Sequence, residues 1–384
     1  MREGQHRVLP SSRRFRRAIF ANATSLAYSA GAPDGNQAER CAMNDDQVEC
    51  GVADLTAKVE AALAHNGFAA DCAALLAATL VRAQADGRAA HGVFRVSSYV
   101  ASARCGYLNG APEPRLEDAA PGFLRVDADN GPAQVALAAA EDAAIDKARR
   151  CGAAVVAIRN SHHVTALYLD VERFAAAGLI ALAVINASAV VAPAPGAAPV
   201  FGTNPLAFAA PRADGLPLVF DQASSALSQG EIQIAARAGR AVPEGTGYDS
   251  EGAPTTDAAA ILDGGALAAF GGYKGANMAL MIELLCAGLG GGAFSYETPH
   301  ERPPEARTSR TGMTLLLIDP ERGIDGHAGF ARRVDALLAE LERAGQTHLP
   351  GRRRERARHA GGDAPVRVSR ADWDLLCELA GDAD

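Results

Sequence analysis

From residue 52 onward the chain alternates between apolar positions spaced three and four apart and continuous apolar runs closed by polar turns. Leu55, Val59, Ala62 and Leu63 recur at helical spacing, as do Cys72, Leu75, Leu76 and Leu80. Two amphipathic helices are therefore expected, separated at Gly67, with Asp71 capping the second. Residues 123–127 read as a strand. Gly131-Pro132 opens an Ala-rich helix through Arg150, whose basic last turn and following Gly152 suit a helix C-terminus. Residues 153–158 form a continuous apolar run fit for a buried parallel strand. A helix over 168–177 and a strand over 179–185 complete a βαβ unit. Further strands are expected at 218–220 and 314–318. Helices are expected at 230–237 and 278–289, and from Phe330, Val334, Leu337, Leu338 and Leu341. A last helix holds Trp373, Leu375 and Leu376 behind Ser369. Residues 298–312 read as a Pro- and Arg-rich surface loop and 350–362 as a basic linker. The fold class is α/β.

Polar residues gather where the strands end, which is where open α/β sheets bind ligands. The first cluster is Ala90-His91-Gly92-Val93-Phe94-Arg95. A helix starting near Gly92 would put Arg95 one turn beyond His91, so both could face one cleft. Arg matches a planar carboxylate through a bidentate fork, and His moves protons near neutral pH. The plainer alternative is a structural His with a surface Arg. Asn160-Ser161-His162-His163 follows the strand at 153–158. Successive side chains rarely converge on one ion, and no acidic or Cys cluster lies nearby. Structural histidines or a ligand-binding pair are thus favoured over a metal site.

Phe201-Gly202-Thr203-Asn204-Pro205 is a turn offering two polar side chains. Asp221-Gln222-Ala223 ends the strand at 218–220, and Glu231 stands near a helix start. Either acid could cap a helix, or orient a catalytic His and raise its basicity. Gly271-Gly272-Tyr273-Lys274-Gly275 precedes a helix and could admit a phosphate, or serve packing alone.

Composition narrows the field. A net charge of −8 gives no reason to expect nucleic acid or an anionic membrane as partner. No apolar run approaches the roughly 20 residues of a membrane helix. The seven cysteines are scattered without a CxxC pair, which argues for a reducing compartment and against a disulfide framework. Neither GxGxxG nor the Walker spacing occurs, so no generic motif announces a nucleotide. Residues 1–42 hold seven arginines against three acids. Residues 1–51 are expected to be a disordered leader. The alternatives for the Arg-rich stretch are a targeting peptide, or an upstream start with Met43 as first residue.

Taken in order, HGVFR, NSHH, FGTNPLAFAAP, FDQASS, GEIQIAAR, PEG, ILDGGAL, FGGYKG and LPG resemble the malate/L-lactate dehydrogenase family, which lacks a Rossmann fingerprint. The resemblance runs from about Val52 to the C-terminus. It is strongest to the Δ1-piperideine-2-carboxylate/Δ1-pyrroline-2-carboxylate reductase branch. It implies a helical N-terminal part over 52–122 with the HGVFR site and a cofactor-binding α/β domain over 123–297. Residues 298–384 would then pack back on the N-terminal part. The implied activity is NADPH-dependent reduction of a cyclic imine carboxylate, with NADH as alternative cofactor, in a cytoplasmic homodimer. A 2-hydroxy-acid dehydrogenase acting on malate, lactate, ureidoglycolate or sulfolactate is the alternative, and a weakly catalytic cofactor-binding protein a further one.

By the same resemblance His91 transfers the proton, with Glu231, or else Asp221, as its acid partner. Arg95 holds the substrate carboxylate and Thr203 faces the substrate. His163 lines the nicotinamide side, Asp221, Gln222 and Ala223 contact the cofactor through their backbone, and Lys274 lies near it. Two residues depart from the family: Ala90 replaces the usual Ser before the catalytic His, and Tyr273 stands where GGHKG has His.

Overall fold

The computed structural model describes residues 42–43, 47–298, 302–323, 329–359 and 365–382. Strands β1 (Ala42–Met43) and β2 (Gln47–Cys50) precede helices α1 (Val52–His65), α2 (Ala70–Ala85) and α3 (Val96–Arg104). The chain continues through β3 (Arg115–Ala120), β4 (Phe123–Pro132), α4 (Ala133–Cys151), β5 (Ala153–His162), α5 (Tyr168–Ala176) and β6 (Ile180–Ile185). Next come β7 (Val191–Ala192), β8 (Leu206–Ala210), β9 (Leu218–Gln222), α6 (Gln229–Arg237), β10 (Gly247–Tyr248) and β11 (Pro254–Thr255). After α7 (Ala258–Leu262) and β12 (Ala266–Ala268), α8 (Tyr273–Glu283) runs on as a π-helical turn (Leu284–Leu289). The chain closes with β13 (Arg310–Ile318), α9 (Phe330–Arg343), α10 (Arg352–His359), β14 (Val366–Ser369) and α11 (Arg370–Ala380).

A seven-stranded sheet of order β3-β4-β5-β13-β6-β8-β9 carries the fold. Only β4 and β5 are parallel neighbours; every other pairing is antiparallel. The expected β5-α5-β6 unit is present, but β13 inserts between its two strands and pairs antiparallel with both. A strand from the C-terminal third of the chain is thus the centre of the sheet. Following the pairings across it, β4, β5, β6 and β9 point the same way. Their carboxyl ends share one sheet edge, which brings the His162-His163 and Asp221-Gln222 segments to that edge.

Strand alternation explains the layers. Ala181, Ala183 and Ile185 of β6 join the core under α4 and α5, whereas Val184 faces Ile282 and Cys286 on the other side. The left-handed Gly152 (φ 84°) stops α4 where the sequence placed its end. The apolar stripes of α1 and α2 are buried as their spacing requires. Helix α2 starts behind Ala69 without a side-chain cap, so Asp71 lies in its first turn instead of capping it.

The first helices form a second core with Trp373, Leu376 and Leu379 of α11. Strand β14 pairs with β2, Val366 opposite Cys50. Residues 47–50, expected within the leader, are therefore ordered: Val48 and Cys50 are fully buried beneath α11 and α1. Of the rest of the expected leader, β1 and Gly51 are described, and residues 1–41 and 44–46 lie outside the described residues. Cys50 is disulfide-bonded, a departure from the all-thiol expectation, while Cys72, Cys105, Cys151, Cys286 and Cys377 are free. The stretch expected as a basic linker contains helix α10, because Arg358 pairs with the buried Asp86 and with Glu172.

Candidate active site

Two short 3-10 turns, Ala89–His91 and Val93–Arg95, replace the expected helix start at Gly92; the regular helix begins only at Val96. Close packing on α2 imposes this path. A Cβ at Gly92 would stand 2.3 Å from Gln84 Oε1 and 3.1 Å from Gln84 Cα. The tight path folds the Arg95 side chain back beneath its own turn, where Nε donates to the carbonyl of Ala90 at 2.8 Å.

Helix α6 closes the site from the other side. Its second residue, Gly230, lies so close that a Cβ there would be 2.5 Å from Arg95 Nη2 and 3.0 Å from Ala90 O. One turn on, Gln233 Oε1 accepts from Arg95 Nη1 at 3.3 Å. Arg95 is 9% exposed. Among the described residues no carboxylate lies within salt-bridge distance of it. Burial, with repulsion from Arg237, lowers its pKa to about 10. A buried guanidinium held by neutral acceptors alone is a site for an anion from outside the chain.

His91 has no hydrogen bond to either ring nitrogen among the described residues. Burial first, then the charges of Arg95, His163 and Arg88, push its pKa down to about 3. In the free protein at neutral pH it is therefore an uncharged imidazole.

The two adjacent histidines diverge. His162 is fully buried and bridges Thr308 Oγ1 (2.9 Å) and Asn130 Oδ1 (3.1 Å), a structural role. His163 turns away and bonds Asp170 Oδ2 through Nε2 at 2.6 Å. Neither acid expected beside His91 bonds to it. Glu231 completes a capping box, its carboxylate accepting from the backbone N–H and hydroxyl of Ser228 at 2.9 and 2.8 Å. Asp221 accepts from the Tyr168 N–H at 3.3 Å and lies 3.6 Å from Arg88.

The 201–205 turn divides its two polar residues. Asn204, at φ 35°, is fully buried and spent on Glu283 (2.6 Å) and the Ala279 carbonyl. Thr203 is half-buried, and its carbonyl accepts from the Ser224 N–H at 2.9 Å. Ser224 in turn accepts at its carbonyl from Phe270 N–H at 2.8 Å. That chain of bonds places the 221–225 segment beside the glycine loop. There Gly271 and Gly272 adopt left-handed φ values of 57° and 63°, and exposed Lys274 sits in the first turn of α8. The backbone approach needs Gly275, since a Cβ would meet Phe270 O at 2.3 Å and Ser224 O at 2.6 Å.

Beside Asp221 and Arg88 opens a crevice of about 150 Å³, also lined by Pro350, Gly351, Arg353 and Arg354. Its two carboxylates are already engaged, Asp86 by Arg358 and Asp221 by Arg88. The net basic lining suits the phosphates of a nicotinamide dinucleotide.

A family model described as malate/L-lactate dehydrogenase matches residues 51–377. The chain belongs to the malate/L-lactate dehydrogenase family. It is an oxidoreductase of that family, with the mixed α/β fold found there. It is 48% identical over 318 residues to a Δ1-pyrroline-2-carboxylate/Δ1-piperideine-2-carboxylate reductase of Pseudomonas syringae pv. tomato. That match covers 82% of this chain and 92% of the relative. Identity to a (2R)-3-sulfolactate dehydrogenase (NADP⁺) of Chromohalobacter salexigens is 40%, covering 76% and 86% of the two chains. The crystal structure of Δ1-piperideine-2-carboxylate reductase from P. syringae pv. tomato superposes with a TM-score of 0.81 at 46% identity. It covers 86% of this chain and 98% of that one.

Within the family frame, both departures have a structural setting. Ala90 is 8% exposed and packed against Gly230, so its methyl faces the α6 backbone. Tyr273 is 72% exposed. Asp170, Gln233, Arg88 and the basic crevice were not singled out from sequence. Asp170 did leave a signal: it is an acid on the apolar face of a helix, among Tyr168, Leu169, Val171 and Phe174.

Proposed function

We propose that the protein reduces a cyclic imine carboxylate, Δ1-piperideine-2-carboxylate or Δ1-pyrroline-2-carboxylate, to L-pipecolate or L-proline, using NADPH. The observation that carries this reading is Arg95, a buried guanidinium with neutral partners beside an imidazole whose ring nitrogens are open. The reductases at 45–48% identity are named for such substrates.

In this reading Arg95 takes the substrate carboxylate and so fixes the C=N carbon and nitrogen relative to His91. His91, neutral in the free protein, faces the ring nitrogen and, once protonated, gives its proton to the imine, making the iminium, the form most open to hydride attack. The bound carboxylate offsets the charge of Arg95, one of the groups that disfavour a proton on His91. Thr203 borders the substrate, and His163 borders the nicotinamide. Lys274, the backbone of Asp221, Gln222 and Ala223, and the basic crevice hold the cofactor. When bound, the nicotinamide supplies the hydride. The glycine loop and the crevice residues Arg353 and Arg354 support a phosphate-bearing cofactor, and the NADP⁺-named relative favours NADPH over NADH. Glu231 reaches a role beside His91 only by leaving its cap, and Asp221 only by leaving Arg88.

A cytoplasmic homodimer is the setting we propose. Tyr273, Leu280, Met281 and Leu284 form one exposed apolar stripe along α8 and its π turn, an area suited to a second copy. Five free thiols suit a reducing compartment, Cys50 being the exception. Among the described residues no helix is long and apolar enough to cross a membrane. The sulfolactate dehydrogenase relative supports a second reading, a 2-hydroxy-acid dehydrogenase with the same Arg and His. Parallel assays on imines and 2-oxo acids decide between the two.

A further inference from the structure

Asp170 presents an energetic problem. It is 1% exposed, in a helix face otherwise given to the core. One carboxylate oxygen, Oδ2, bonds His163 Nε2 at 2.6 Å. The other, Oδ1, is buried with no hydrogen-bond partner. A buried carboxylate with half its acceptor capacity unused costs stability, and an apolar residue of similar volume would pack better there. The position is costly for the fold, which points to a use in the site.

The use follows from ring chemistry. An imidazole that donates Nε2–H to a carboxylate keeps that proton whether the ring is neutral or charged. The proton it gains or loses then resides on Nδ1 alone. His163 Nδ1 has no hydrogen-bond partner among the described residues, unlike His162, whose two nitrogens are both occupied. His163 also lies close enough to His91 to act on its charge.

We propose that Asp170 is a positioning residue for the reduction. It fixes His163 as the Nε2–H tautomer and leaves Nδ1 as the one ring nitrogen that gives or takes a proton in the cleft. The inference rests on the reading above, in which His163 borders the nicotinamide. The pairing supplies the site with a carboxylate-oriented histidine that neither Glu231 nor Asp221 provides to His91 in this structure.

The test combines a substrate-independent and a kinetic measurement on the full-length protein. Long-range ¹H–¹⁵N spectra, with the His163 signals assigned through His163→Gln, should show the Nε2–H form of the neutral ring in the wild type. Asp170→Asn should admit the Nδ1–H form. That variant should also lose about tenfold or more in kcat, with the KM for NADPH nearly unchanged. Asp170→Glu should restore part of the loss. A wild-type His163 populating both tautomers would overturn the proposal whether or not Asp170→Asn folds. So would a kcat for folded Asp170→Asn within about twofold of wild type, a change too small for a lost catalytic proton. A wild type that reduces 2-oxo acids but neither imine removes the substrate reading only. Reduction of a carbonyl also needs a proton, so the kinetic arm then runs on the 2-oxo acid with the same criteria.

Discussion

The Arg95 guanidinium binds the carbonyl of Ala90, five residues earlier, at 2.8 Å, and so locks the loop that carries His91 to the group placed beneath it. One hydrogen bond thereby sets the spacing between the expected carboxylate anchor and the expected proton-transfer group. A side chain with one point charge could keep the charge and lose the fork that also reaches Gln233. Arg95→Lys is therefore expected to raise the imine KM by roughly 30-fold or more, the lower end of the scale for a truncated buried charge pair, while the KM for NADPH stays nearly constant. Steady-state kinetics varying each substrate in turn measure both. An unchanged imine KM removes Arg95 from the carboxylate site.

Gly230 gives a subtler probe of the same geometry. A methyl added there meets Arg95 Nη2 at 2.5 Å and the Ala90 carbonyl at 3.0 Å, so the guanidinium must shift. Gly230→Ala should keep the fold and weaken substrate binding by about 1 kcal/mol or more, the usual scale of a small overpacking strain. Isothermal titration with pyrrole-2-carboxylate, a planar analogue, reads the affinity. An affinity equal to wild type would mean that the guanidinium position is not what binds the carboxylate.

His91→Ala removes the open imidazole without touching the crevice or the glycine loop. The account expects kcat to fall by about 10²- to 10⁴-fold, the range of general acid–base catalysis, with NADPH binding followed by nicotinamide fluorescence nearly unchanged. Turnover near wild type would exclude His91 from proton transfer.

Acid stability follows from two histidines, the fully buried His162 and the half-buried His91. Burial holds both His91 and His162 at about 3, against an ordinary value of 6.5. The folded protein keeps them neutral, while the unfolded chain takes up protons below 6.5. Their stabilisation is therefore complete above pH 6.5 and is lost as the pH falls toward 3. The loss should reach the order of a few kcal/mol by pH 4. Urea unfolding across that range should show it, and His162→Gln should flatten the slope. An equal slope in that variant would assign the acid sensitivity to other groups.

Much of this was legible in the chain. The stripes of α1 and α2, the stop at Gly152 and the strand over 153–158 depend on local spacing, which the sequence displays directly. The place of β13 does not: pairing Met313 with both Ile158 and Ile185 is a long-range choice that no local pattern encodes. The mostly antiparallel sheet was missed for that reason. At the site, His91 and Arg95 emerged from spacing and resemblance, and the structure carries them on irregular turns, not on a helical face. Glu231 illustrates the limit. Its place three residues after Ser228 is equally a capping box, and the carboxylate follows the nearer donor. Asp170 was overlooked because its seven-residue separation from His163 crosses from a strand end into a helix, where only the fold reveals the contact.

The central claim is that Arg95 and His91 serve the reduction of a cyclic imine carboxylate. Its most direct test is NADPH oxidation by the purified protein with Δ1-piperideine-2-carboxylate and Δ1-pyrroline-2-carboxylate, beside pyruvate and oxaloacetate. The account predicts consumption with at least one imine and little with the 2-oxo acids. Consumption confined to the 2-oxo acids would contradict it and make the protein a hydroxy-acid dehydrogenase of the same family.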